Sequence, residues 1–205
     1  MAVKKFKLID EVVDHFQLSI QKVDFLSQIQ THNMPDALKT ELQFALNDLP
    51  YKVSEAAIRE NVLYPVLKSV FLTGFEDRLM LWVGKSIAFG KELSAVPNYI
   101  LAQQSARGKT IFGKPLLAVV EARKGNFEEA WVQCLLQMCI IQKMIGRTDL
   151  PVIGIVSNGD FWEFGKLEGS KFTANAQSFN ISAFDIIFST LFFSFQICHA
   201  NSKEF

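Results

Sequence analysis

This 205-residue chain has no excess charge of either sign: Lys and Arg number 21, and so do Asp and Glu. That balance removes any global field favouring DNA or an anionic membrane. Cysteine is scarce. Cys134, Cys139 and Cys198 are odd in number and lack CxxC spacing, which argues against a disulfide scaffold and a structural zinc site and fits a reducing cytoplasm. A long apolar run is missing too. The nearest approach, residues 184–198, holds Asp185, two serines and Gln196, too short and too polar to span a bilayer. Residues 1–16 carry basic side chains without the apolar core of a signal peptide. Gly108-Lys109-Thr110 lacks the preceding glycine spacing of a phosphate loop. His15, His32 and His199 are scattered, none beside a motif-like serine or cysteine. Repeats, low-complexity segments and linkers are absent.

What is present is apolar: 49% of residues are hydrophobic and 19 are phenylalanine, enough for one packed domain of ordinary size. Its centre is residues 114–125. Leu116-Leu117-Ala118-Val119-Val120 reads as a buried strand that abruptly acquires charge at Glu121 and Arg123. Alternation puts those two on one face and Ala122 and Lys124 on the other. A carboxylate and a cation at the end of an apolar strand are costly unless paired or used. A salt bridge where the strand surfaces is the simplest reading, and a functional pair is the other.

Periodicity predicts an amphipathic helix over residues 6–29 and a second one from Pro35 through Leu46. This arm reads equally as packing, a lid or a dimer contact. A third helix is capped by Ser54, carries Glu55 in its first turn where the dipole favours a carboxylate, and runs to about Phe71. Residues 78–89 and 95–103 read as strands. The second forms a hairpin with the central strand and brings Asn98 close to Glu121. Asn126 with Glu129 predicts a capping box on a long helix that carries Gln133 and Gln137 and ends at Gly146. Residues 151–156 read as a mid-sheet strand, joined by an Asn-Gly turn to an alternating strand over 161–167. A phenylalanine-rich helix from about Ser182 closes a mixed α/β chain whose aromatics read as core.

Together these segments resemble the PD-(D/E)XK nuclease superfamily, in particular the N-terminal nuclease domain of type I restriction motor subunits and its stand-alone relatives. The resemblance is carried by Ser54-Glu55-Ala56-Ala57-Ile58-Arg59, by Val96-Pro97-Asn98-Tyr99, by Leu117-Ala118-Val119-Val120-Glu121-Ala122-Arg123, by Ala130-Trp131-Val132-Gln133, and by the 152–167 hairpin. It implies a restriction-endonuclease-like core, a central mixed sheet flanked by helices, over residues 51–205, with a helical arm over 1–50. It further implies an acidic cluster of Glu55, Asn98 and Glu121 holding Mg2+ or Mn2+, a cation at Arg123 acting on the attacking water, and Gln133 supporting the site.

Two positions depart from the family pattern. Asn98 stands where an aspartate is expected and brings no charge to a hard cation. Arg123 stands where a lysine is expected. A guanidinium stays protonated and prefers to clamp a carboxylate, so Arg123 could pair with Glu55 or Glu121 where a metal would sit. The expectation is a nuclease-fold protein with a vestigial metal site, impaired in catalysis and acting by binding DNA, RNA or a protein partner. An active Mg2+- or Mn2+-dependent endonuclease is the alternative. A structural or assembly protein, dimerising through the N-terminal helices, is a further one. No membrane partner and a cytoplasmic location are expected.

Overall fold

Six of the seven residues of the strand Leu116–Ala122 are buried, Glu121 being the exception. The computed structural model describes residues 5–27 and 29–204, and in it this strand lies inside a large mixed sheet with helices on both faces. The chain opens with helix α1 (Ile9–Phe16), strand β1 (Ser19–Val23) and helix α2 (Asp36–Asp48). A continuous helical run follows: α3 (Glu55–Ile58), a π-helical turn at Arg59–Leu63, and α4 (Tyr64–Phe71). Strands β2 (Leu79–Val83), β3 (Ile87–Phe89), β4 (Leu93–Ala95) and β5 (Tyr99–Gln103) precede the central strand, β6. Helix α5 (Phe127–Ile145) leads to β7 (Val152–Ser157), β8 (Phe161–Glu168), β9 (Lys171–Asn175), the short β10 (Phe179–Asn180) and helix α6 (Phe184–Asn201).

The sheet runs β1-β9-β8-β7-β6-β5-β2, with β10 pairing off β8 and β3–β4 forming a separate hairpin. β5 and β6 are antiparallel, as the hairpin reading requires. β6 and β7 are parallel, which demands a long crossover, and α5 supplies it. Alternation along β6 feeds two cores. Ala118, Val120 and Ala122 join the cluster under α2, α4 and α6, and Val119 joins the cluster under α1, α5 and the β3–β4 hairpin. Gly154 lets α5 settle directly onto β7, since a Cβ there would lie 2.5 Å from Met138 Sδ and 3.0 Å from Cys134 Sγ. All three cysteines are free and buried, and α6 packs Phe188 and Phe195 into the core.

Local signals fix several boundaries. Ser54 Oγ accepts from Ala57 N at 3.1 Å, Pro35 immediately precedes α2, and Gly146 closes α5 at φ 72°. The helix predicted over residues 6–29 is a correction. α1 stops at Gln17, which adopts φ 53°, and the chain then pairs in parallel with β9 as an edge strand. The apolar residues that mimicked one helical stripe belong to opposite faces of the sheet: Val12 to the α5 side, Leu26 to the α6 side. Gln28, within that predicted helix, lies outside the described residues. The strand predicted over 78–89 is broken at Gly84, φ 59°, where the chain leaves the sheet for the β3–β4 hairpin. The predicted capping box also fails. Asn126 Oδ1 does accept from Glu128 N at 2.8 Å, but Glu129 turns away to meet Arg123. No helix among the described residues is long and apolar enough to cross a membrane.

Candidate functional site

The C-terminal end of β6 meets the start of β5, the first turn of α3 and the N-terminal half of α5. Asn98, just before β5, is held against β6 from both of its amide groups. Its backbone N lies 3.4 Å from Glu121 Oε1 and donates to it. Its side-chain Oδ1 accepts from Ala122 N at 2.7 Å. The hairpin therefore brings Asn98 and Glu121 together, and one lone pair of the Asn98 oxygen is engaged by the backbone.

Glu121 is further engaged from α5. Gln137 Nε2 donates to Glu121 Oε1 at 2.5 Å, while Gln137 itself is only 2% exposed and its Oε1 is buried without a partner among the described residues. Burial dominates the ionisation of Glu121 and pushes its pKa up to about 7. The Gln137 and Asn98 hydrogen bonds pull the other way, the Glu55 charge adds to the rise, and Arg123 opposes it. Desolvation thus outweighs the two donors.

Arg123 continues the parallel ladder, its N donating to Ser157 O at 2.9 Å. Its side chain lies between two carboxylates: Nη2 is 2.6 Å from Glu129 Oε2 and Nε is 3.5 Å from Glu55 Oε1. The Glu129 hydrogen bond, foremost, holds the guanidinium protonated more firmly than usual. Glu55 is presented by α3, which is tied to β5 through the π-helical turn, where Tyr99 Oη donates to Arg59 O at 3.3 Å. A π turn frees backbone carbonyls from the regular ladder. Lys124 takes the opposite face, donating to Val53 O at 3.1 Å.

Gln133 does not reach this cluster's interior. It is exposed on α5 and lines a surface cavity of about 310 Å3 with Arg123, Glu129 and Phe6. Gln137, one turn later and on the buried side of the helix, makes the contact that sequence reasoning assigned to Gln133. Glu129 is the other site residue that the sequence does not single out, since its place three residues after Asn126 reads as the glutamate of a capping box.

The arrangement is a poor fit to a hard divalent cation, which takes oxygen ligands and favours carboxylates. Of the three expected donors, Asn98 Oδ1 already accepts from Ala122 N and Glu55 faces the Arg123 guanidinium. Among the described residues no three of His, Cys, Asp and Glu converge where one metal ion could sit. What the cluster can do chemically is hold one carboxylate that protonates near neutrality beside a fixed guanidinium. No protein-family model matches the chain, and no curated protein does.

Proposed function

We propose that this chain is a PD-(D/E)XK nuclease-fold protein whose hydrolytic site is closed, and that it acts by binding nucleic acid or a protein partner rather than by cutting. One observation carries the reading: Arg123 lies between Glu55 and Glu129 at the strand end where the family holds its metal. A guanidinium cannot accept a proton from an attacking water, and its charge disfavours a divalent cation alongside. The order of segments around the site supports the fold assignment, since the helix of Glu55, the strands after Asn98 and before Arg123, and α5 surround one strand end.

The test is cleavage of single- and double-stranded DNA and RNA, first with Mg2+ and then with Mn2+, against Glu121→Ala. The expected result is that neither protein cuts any substrate. Metal-dependent cleavage by the native chain that Glu121→Ala abolishes would establish an active endonuclease and sink the proposal.

A further inference from the structure

The balanced charge of the chain hides a segregation. Between Arg78 and Lys114 lie six basic residues and one acid, Glu92, a net charge of +5 that leaves −5 for the remainder. The structure makes β2 and β5 of this segment one edge of the sheet and packs its β3–β4 hairpin and β5–β6 loop on the α5 side of that edge. Lys85 Nζ donates to Thr110 O at 3.2 Å, joining the end of β2 to the β5–β6 loop. The same Nζ sits 5.1 Å from the Trp82 ring and 5.6 Å from that of Phe112. Lys114 Nζ donates to Met144 O at 3.0 Å, bringing the loop against the end of α5. There Lys143 lies 5.9 Å from the ring of Phe89, on the β3–β4 hairpin.

None of Lys85, Lys91, Arg107, Lys109, Lys114 and Lys143 forms an ion pair with a carboxylate among the described residues, and the same holds for Lys22 and Lys171 on the opposite sheet edge. Arg107 and Lys109 flank Gly108, φ 115°, on an exposed loop. The acids at the border are Glu92 in the hairpin turn and Glu76 and Asp77 at the loop root, Asp77 facing His199. Phe89 is 45% exposed beside Lys143. Cations without carboxylate partners on an exposed surface can neutralise backbone phosphates, and an exposed ring beside one of them offers a stacking platform for an unpaired base.

We propose that the β3–β4 hairpin and the β5–β6 loop form a docking face for single-stranded nucleic acid. The β5–β6 loop enters β6 at the opposite end from Glu121, roughly 17 Å along the strand. Lys114 and Lys143 tie the loop and the Phe89 tip to the far end of α5, so these parts of the face lie away from the closed cleft, while the base of the hairpin adjoins Asn98. Its argument uses charge and exposure and does not depend on the nuclease resemblance.

The experiment is fluorescence anisotropy with labelled 20-nucleotide single-stranded DNA and RNA and the matching duplexes, without divalent cation, as a function of salt. The proteins are the full chain, Arg107→Ala/Lys109→Ala, Phe89→Ala, and the charge-matched Lys22→Ala/Lys171→Ala on the opposite sheet edge. Circular dichroism melts verify folding, and the loop substitutions are exposed. Losing two phosphate contacts lowers the salt slope by about 1.4 and weakens binding roughly 10- to 100-fold at 50 mM salt. Phe89→Ala weakens single-strand binding and leaves duplex binding and the salt slope unchanged. The proposal is overturned if the native chain binds no single strand at low salt, if the Lys22/Lys171 control loses as much, or if the matching duplexes are bound more tightly than the single strands. Cleavage is not read here, so the closed-site reading can fail while this face stands, and the reverse.

Discussion

Replacing Glu121 by Gln should make the protein more stable in mild alkali and change it little in mild acid. Folded, Glu121 binds a proton up to about pH 7, against an unperturbed value of 4.5. The folded state therefore holds the proton more tightly than the unfolded state. That contribution is fully present below about pH 4.5 and is lost as pH rises through 7. Between pH 5 and pH 8 the loss amounts to about 2.5 kcal/mol, taking 1.36 kcal/mol per unit. Gln is neutral throughout, and its oxygen can still accept from Gln137 Nε2. Urea unfolding of both proteins at pH 5, 6.5 and 8 isolates the effect, because the other titrating groups cancel in the difference. The variant should gain about 2–3 kcal/mol on the native chain by pH 8, or about 5–10 °C in Tm for a chain of this size. A difference that stays flat across the pH range, or reverses above pH 7, would refute the account of Glu121 as a desolvated carboxyl.

Asn98→Ala leaves Ala122 N without its acceptor and should cost about 1–3 kcal/mol in urea unfolding; a loss below a few tenths would mean that the amide does not fasten the hairpin. Arg123→Met removes two partly exposed ion pairs, so its stability should fall by no more than about 1 kcal/mol, and a loss several times larger would show the pairs to be more deeply buried than the geometry has them. Gly154→Ala forces a methyl onto Met138 and Cys134 and should destabilise by about 1–3 kcal/mol, readable as a lowered Tm with unchanged far-ultraviolet circular dichroism.

How far the fold could be read from the sequence follows the range of the forces involved. Ser54, Pro35, Asn126 and Gly146 mark helix ends through contacts made within a few residues, and all four mark the boundaries where the structure has them. The hairpin that places Asn98 beside Glu121 spans 23 positions and is legible because two apolar strands flank one polar, glycine-bearing turn. β1 is not. Its residues pair with β9, about 150 positions away, and Val12 and Leu26 fall at helix-like spacing while serving different cores. β9 and β10 were also missed. The site shows the same division. Glu121 and Arg123 stand out because charge ends an apolar strand, but the choice of Gln137 over Gln133 depends on which face of α5 packs on the sheet. Glu129 had two claims on it, its own helix terminus and the Arg123 guanidinium, and only the tertiary arrangement decides between them. The basic surface escaped because composition averages over the chain, and only the segment from Arg78 to Lys114 reveals the excess.

The central claim is that Arg123, and not a metal ion, neutralises the carboxylates at the end of β6. Titration of the native chain with Mn2+ at pH 7.5, followed by electron paramagnetic resonance, tests it directly, with Glu121→Ala alongside. The account predicts no site-specific binding tighter than about 1 mM in either protein. Stoichiometric Mn2+ binding by the native chain that disappears in Glu121→Ala would contradict it, and would return the cluster to the ranks of working metal centres.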